Sequence, residues 1–188
     1  MTTKIAVFAS GSGSNFQALA ESIASGELNA EIGLVVTDKP GAYVVKRAQS
    51  LDIPVAEFAP KSFKDKATYE AKIIELLKIN EIEWVILAGY MRLIGETLLS
   101  AYENRIINIH PSLLPSFPGK DAIGQAMDHG VKITGVTVHY VDAGMDTGKI
   151  IAQGAVDVVE GDRIATEELI HKLEHKLYSK TLQQLFKS

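Results

Sequence analysis

Hydrophobic and polar positions follow two different periods along the chain. Short apolar runs predict strands, and longer segments with apolar residues spaced three and four apart predict helices. The predicted strands are 4–9, 31–37, 55–58, 83–88, 105–109, 133–141 and 149–158. The predicted helices are 14–25, 41–51, 63–80, 95–102, 121–129 and 163–186.

The order of these elements predicts an α/β fold. Strands and helices alternate through the first half, which indicates parallel strands joined by right-handed helical crossovers. The last two predicted strands flank the Gly-containing segment 142–148 with no helix between them, so we expect an antiparallel addition to the sheet. The last helix carries an apolar stripe that we expect to pack on the sheet: Leu169, Ile170, Leu173, Leu177 and Leu185. The prediction is one domain, 1–188, with a mostly parallel central sheet and helices on both faces.

Composition and charge narrow the class of protein. The chain has 188 residues, of which 46% are hydrophobic and 22% charged, as in an ordinary soluble globular domain. A net charge of -4 gives no broad basic surface, so nucleic acid is not expected as a partner. The absence of cysteine excludes a disulfide, a thiolate zinc site and a cysteine nucleophile. The longest apolar run, 84–91, is far below the ~20 residues that span a bilayer, so we expect a cytoplasmic protein with no membrane partner.

Three unusual segments follow predicted parallel strands. Segment 10–15 comes after the first strand, 89–92 after the fourth, and 108–111 closes the fifth. Ligands of open α/β sheets bind outside the carboxyl ends of the strands. The three segments therefore predict a binding site at one edge of the sheet.

The Gly-rich segment from Gly11 to Asn15 joins a strand to a helix. Backbone N–H groups at such a helix N-terminus bind phosphate, whereas the alternative is a tight turn with Ser14 as the N-cap. A dinucleotide fingerprint is disfavoured because Phe16 occupies the position of its third glycine. Asp38 ends the second strand, where it is either a ribose-binding acid or part of a turn.

Asn108 and His110 are two residues apart on a predicted strand, so their side chains share one face. An amide donor beside an imidazole can stabilise an oxyanion and transfer a proton, although a purely structural polar pair has the same spacing. An aspartate of segment 142–148 would orient the ring and favour its protonated form. The spacing does not choose between Asp142 and Asp146.

The segment from His171 to His175 matches the pattern H-x-x-E-H of inverted zinc proteases. No carboxylate follows Glu174 to complete a metal site, so we expect no metal. The alternative prediction is that these residues lie on the polar side of an amphipathic helix.

Four motifs taken in order resemble the phosphoribosylglycinamide formyltransferase family. They are Gly-Ser-Gly-Ser-Asn, Leu-Ala-Gly-Tyr-Met-Arg, Ile-Asn-Ile-His-Pro-Ser-Leu-Leu-Pro and Met-Asp-Thr-Gly, and the resemblance runs from residue 4 to about 186. It implies a Rossmann-like formyltransferase fold with a nucleotide-binding half, 1–103, and a catalytic and folate-binding half, 104–188. It also implies transfer of the formyl group of 10-formyltetrahydrofolate to the amine of glycinamide ribonucleotide, without a metal.

The resemblance assigns roles to matching positions. Catalysis falls to Asn108, His110 and Asp146, and contact with the acceptor falls to Glu174. The acceptor's phosphate would be held by Gly13, Ser14 and Asn15. Folate would be bound by Lys66, Met91, Arg92, Leu93 and Ile94. Two positions depart from the family: Lys66 replaces an arginine, which weakens the expected contact with the folate tail, and Lys149 replaces a common proline.

Several alternatives accompany this interpretation. A formyltransferase for another amine and a formyltetrahydrofolate hydrolase share the same motifs, although an enzyme acting on tRNA would need a more basic surface. A nucleotide-binding regulatory module is a different class, and it would have no need of the Asn108–His110 pair. The expected partners are small-molecule substrates only, and the expected state is a monomer or homodimer.

Overall fold

The computed structural model describes residues 1–187, and residue 188 of the predicted domain lies outside the described residues. The strands are β1 (Thr3–Phe8), β2 (Ala30–Thr37), β3 (Val55–Glu57), β4 (Trp84–Leu87), β5 (Ile106–His110), β6 (Ile133–Tyr140) and β7 (Ile150–Asp157). The α-helices are α1 (Ser14–Ala24), α2 (Tyr43–Ser50), α3 (Lys66–Ile79), α4 (Glu96–Ala101), α5 (Ala122–His129) and α6 (Arg163–Phe186). A 3₁₀ turn, Pro60–Ser62, precedes α3.

The strands form one seven-stranded sheet in the order β3-β2-β1-β4-β5-β6-β7. The first five strands are parallel, whereas β6 is antiparallel to both β5 and β7. This confirms the predicted α/β fold with an antiparallel addition. The chain leaves β1 towards β2 on one side and later returns to β4 on the other, so the strand order reverses between β1 and β4.

The core lies on both faces of the sheet, so neighbouring residues of a parallel strand are both buried, one on each face. Along β1, Val7 faces the cluster made with α1, α2, α5 and α6, while Phe8 faces the cluster made with α3 and α4. Both side chains are fully buried. Helices therefore cover both faces, as predicted.

Four members of the predicted apolar stripe of α6 pack on the core as expected, namely Ile170, Leu173, Leu177 and Leu185, and Leu169 does not. Leu169 is 40% exposed, and the buried face carries Ile170, Glu174, Tyr178 and Leu182. The hydroxyl of Tyr178 donates to the carbonyl oxygens of Leu87 (2.8 Å) and Ile107 (3.2 Å), which lie on neighbouring strands. The helix is therefore fixed to the sheet by polar contacts as well as apolar ones. None of the helices in residues 1–187 combines the length and apolarity needed to cross a bilayer.

Candidate active site

A cavity of about 700 Å³ opens at the carboxyl edge of the parallel strands. All three segments that the sequence placed at this edge line it, together with segment 142–148 and Glu174. They meet because β1, β4 and β5 are adjacent in the sheet. The cavity therefore lies where the strand order reverses, the position expected for a ligand site in an open α/β sheet.

The loop after β1 ends in a helix N-terminus without a side-chain cap. The N-cap is Gly13, in the left-handed conformation at φ 75°, so the alternative prediction of Ser14 as N-cap is wrong. A Cβ at Gly13 would lie 2.6 Å from Cγ2 of Val44, so the loop packs against α2 too closely for any other residue. Since no side chain in residues 1–187 caps this helix, its first N–H groups are left for a ligand.

Asp38 is not among the residues that line the cavity, as a ribose-binding acid would be. It is buried, and its Oδ1 accepts a hydrogen bond from Ser10 Oγ at 2.5 Å. The same Ser10 Oγ accepts from the backbone N–H of Met91 at 2.8 Å. Asp38 therefore helps to join the loop after β1 to the loop after β4.

The loop after β4 is held at its far end as well. The buried carboxylate of Glu70 accepts from the backbone N–H of Gly95 at 2.8 Å. Within this loop, Met91 and Leu93 are 65% and 46% exposed, while Ile94 is buried. The loop is thus a backbone fixed at both ends that presents apolar side chains to the cavity.

The predicted folate residues divide into two groups. The four consecutive residues 91–94 all line the cavity, and the guanidinium of Arg92 stacks 5.6 Å from the ring centre of Tyr69. Lys66 lies outside the cavity wall, exposed at the first turn of α3 and beside Gly95.

Asn108 and His110 lie at the end of β5, and both line the cavity. His110 Nε2 donates to the carbonyl oxygen of Phe117 at 2.9 Å, and its Nδ1 lies 3.5 Å from Oδ2 of Asp146. The same carboxylate oxygen accepts from the backbone N–H of Gly119 at 2.8 Å. An acceptor therefore faces each nitrogen of the ring, and a doubly protonated ring satisfies both.

The two candidate aspartates have different surroundings. Asp146 has a left-handed backbone, φ 55°, and its carboxylate points to the histidines with 13% of the side chain exposed. Asp142 Oδ1 instead accepts from the backbone N–H of Gly144 and from the hydroxyl of Thr147, at 3.0 and 2.6 Å. Asp146 is therefore the aspartate that contacts His110, and Asp142 stabilises the loop through its hydrogen bonds.

A second imidazole, absent from the sequence prediction, completes the cluster. His139 lies opposite Asn108 in the antiparallel register of β5 and β6, and its Nε2 is 3.2 Å from Asn108 Nδ2 and 3.8 Å from Asp146 Oδ1. Burial lowers the pKa of His139, and this effect outweighs the opposing influence of the Tyr140 carbonyl and Asp146. The only signal in the sequence was an imidazole within a predicted strand.

Glu174 is on the buried face of α6, so its predicted place on the polar side of the helix is wrong. It is 5% exposed and accepts from Asn15 Nδ2 at 3.1 Å and from His171 Nδ1 at 3.2 Å. The bond to Glu174 raises the pKa of His171, whereas burial lowers the pKa of His175. Within residues 1–187, no three His, Asp or Glu side chains are grouped so as to hold a metal ion.

Comparison with known proteins assigns this arrangement to a family. The sequence profile of the family described as formyl transferase matches residues 3–182. The phosphoribosylglycinamide formyltransferase of Bacillus subtilis (strain 168) is 56% identical over 97% of this chain and 94% of its own length. The human trifunctional purine biosynthetic protein adenosine-3 is 38% identical over 96% of this chain, which corresponds to 18% of that protein.

Solved structures agree with this assignment. The crystal structure of glycinamide ribonucleotide transformylase 1 from Geobacillus kaustophilus superposes with a TM-score of 0.95 at 56% identity, covering 98% of this chain and 99% of that one. The phosphoribosylglycinamide formyltransferase of Campylobacter jejuni, at 31% identity, still gives a TM-score of 0.92 over 99% of this chain and 98% of that one. This chain therefore belongs to the formyl transferase family, within its phosphoribosylglycinamide formyltransferase branch.

Proposed function

We propose that this protein transfers the formyl group of 10-formyltetrahydrofolate to the amine of glycinamide ribonucleotide, a step of purine biosynthesis. The observation that carries the proposal is that all four family motifs meet in one cavity, in a chain 56% identical to a phosphoribosylglycinamide formyltransferase over nearly its whole length. We assign it to the cytoplasm as a monomer or homodimer, which fractionation and sedimentation measurements would test.

The acceptor's phosphate binds at the N-terminus of α1, through Gly13, Ser14 and Asn15. The uncapped N–H groups of the first helical turn and the positive end of the helix dipole both favour an anion there. Arg47 supports this loop from behind, because its Nε donates to the carbonyl oxygen of Ser12 at 2.7 Å.

Glu174 binds the sugar or amide portion of the acceptor. Its carboxylate is already oriented by Asn15, so it is fixed relative to the phosphate loop. The Oδ1 of Asn15 is buried and has no protein partner within residues 1–187, which leaves an acceptor for an N–H or O–H group of the ligand.

The folate donor binds along the loop after β4. Met91 and Leu93 offer exposed apolar surface to the flat pterin ring, and the loop's backbone groups are available to its polar edge. Lys66, on the same side of the sheet beside Gly95, would contact the negatively charged tail of folate.

The chemistry follows from the cluster at the end of β5. The neutral amine attacks the formyl carbon and forms a tetrahedral intermediate with a negatively charged oxygen. An N–H of Asn108 stabilises that oxygen by a hydrogen bond. The protonated ring of His110, whose two nitrogens face Phe117 and Asp146, stabilises it by its positive charge. Asp146 holds the ring by its charge and, with a water molecule, accepts the proton that the amine loses. The same proton passes through the water molecule to the departing folate nitrogen as the carbon–nitrogen bond breaks, so Asp146 regains its charge and the protons balance.

An optical assay of folate deformylation tests the proposal. Protein and 10-formyltetrahydrofolate are mixed with glycinamide ribonucleotide, methionyl-tRNA, a nucleotide sugar with a free amine, or no acceptor. We expect rapid turnover only with glycinamide ribonucleotide. Equal turnover without an acceptor would identify a hydrolase, and preference for another amine would overturn the assigned acceptor.

A further inference from the structure

The ring of His139 contacts the one side chain that the proposed chemistry uses as a neutral oxyanion donor. Its Nε2 lies 3.2 Å from Asn108 Nδ2, and its Nδ1 lies 2.8 Å from the carbonyl oxygen of Tyr140. A carbonyl oxygen can only accept, so the proton of a neutral His139 ring lies on Nδ1. Nε2 is then left as an acceptor facing Asn108.

This tautomer permits only one orientation of the Asn108 amide. With Nδ2 towards the ring, an amide N–H donates to Nε2. With the amide turned over, its carbonyl oxygen and the lone pair of Nε2 would face each other, and two acceptors would be left unpaired. The second N–H of the amide has no protein partner within residues 1–187, and Asn108 lines the cavity.

We propose that His139 is a positioning residue, which fixes the amide of Asn108 so that its second N–H is presented to the oxyanion of the tetrahedral intermediate. This inference rests on the proposed role of Asn108. The antiparallel register of β5 and β6 supports it, because it places the two residues directly opposite each other at the wall of the cavity.

The orientation depends on a neutral ring. Asp146 and Asp142 favour the charged form of His139, whereas burial and the nearby His110 disfavour it. Burial is the largest influence and lowers the pKa of His139, whose ring is 2% exposed. A protonated Nε2 would donate to the amide oxygen of Asn108, turn the amide over and move the N–H away from the intermediate.

Nitrogen-15 NMR of the histidine rings tests the tautomer directly. We expect His139 near neutral pH to show a protonated Nδ1 and an unprotonated Nε2, with its signals assigned from their loss in His139→Gln. A ring protonated on Nε2 instead would overturn the inference. The measurement does not use activity, so its failure is distinguishable from failure of the proposed function.

A double-mutant cycle tests whether His139 acts through Asn108. We expect His139→Phe to lower kcat on the order of 10-fold with both KM values little changed, since one orienting hydrogen bond is lost. His139→Gln, which keeps an acceptor, should recover much of that loss. In an Asn108→Ala background, His139→Phe should have almost no further effect on kcat.

A histidine outside the cavity provides the control for His139→Phe. His129→Phe makes the same chemical change as His139→Phe on an exposed residue at the end of α5, and it should leave kcat unchanged. If His139→Phe lowers kcat equally in the Asn108→Ala and wild-type backgrounds, His139 has only a structural role and the inference is wrong. Should His139→Phe fail to fold, the ring tautomer of the wild-type protein still decides the question.

Discussion

Replacing Asp146 by asparagine separates the charge of this residue from its shape. The amide is nearly the size of the carboxylate, and its oxygen can still accept the hydrogen bond from the Gly119 N–H. What is lost is a negative charge 3.5 Å from His110 Nδ1. Any fall in turnover therefore reports the electrostatic contribution and not a displaced loop.

The distance sets the scale of the effect. In the transition state of the proposed mechanism the ring is protonated, and opposite unit charges 3.5 Å apart attract by about 5 kcal/mol in a medium of effective dielectric constant ~20. Water in the open cavity replaces part of this interaction in the variant. We therefore expect kcat to fall about 100- to 1000-fold, or roughly 3–4 kcal/mol in activation free energy.

The assay measures steady-state turnover and the affinities of both substrates, and the affinities should change little because the proposed phosphate and folate contacts lie elsewhere. Asp142→Asn is the matched control, since its oxygen can still accept from Gly144 and Thr147, and we expect nearly normal turnover. The double variant of His110→Ala with Asp146→Asn should be little worse than the poorer single variant. Near-normal turnover of Asp146→Asn, with a large loss in Asp142→Asn, would refute the reasoning.

Three other predictions concern stability, pH and metal. Gly13→Val should lower the free energy of unfolding by about 2–5 kcal/mol in urea titrations, because a Cβ there meets Val44 and the backbone is left-handed. Gly11→Ala, with no described atom within 4 Å of the new Cβ, should change it by less than about 0.5 kcal/mol. Because Glu174 raises the pKa of His171 above 6.5, the stabilisation from this pair is fully present below pH 6.5 and is lost as pH rises through the folded pKa. The difference in unfolding free energy between wild type and His171→Gln, no more than about 1 kcal/mol, should shrink over that range. Finally, dialysis against a chelator should leave turnover intact, because the Glu174 carboxylate is engaged by hydrogen bonds to neighbouring side chains; activity that is lost and then restored by zinc would contradict this.

Local patterns predicted the strands, the helices and the edge at which the site forms. The period of apolar residues is a property of each segment. The carboxyl ends of parallel strands meet at one edge of the sheet whatever the residue-by-residue pairing of the strands, so the edge could be predicted without that pairing. The division into halves, 1–103 and 104–188, stays a prediction. So do the roles of the individual site residues.

Features that depend on long-range packing were not accessible from the sequence. The pairing of His139 with Asn108 requires the register of an antiparallel pair whose strands are separated by 22 residues or more along the chain. The burial of Glu174 depends on how α6 is rotated about its axis, and that rotation is set by contacts of Tyr178 with two strands. The apolar stripe correctly placed Ile170, Leu173 and Leu177 against the core. It could not show that a polar residue, Glu174, is buried on the same helix.

The hydrogen bond between Asn15 and Glu174 joins residues 159 positions apart. During synthesis, the loop after β1 and strand β5 leave the ribosome well before the helix that carries Glu174. The wall of the cavity that contains Glu174 is therefore completed among the last steps of folding, and a chain interrupted before α6 would have most of its motifs but no finished cavity. If Glu174 contacts the acceptor as proposed, competence to bind the acceptor requires that the polypeptide has been made and folded through its sixth helix.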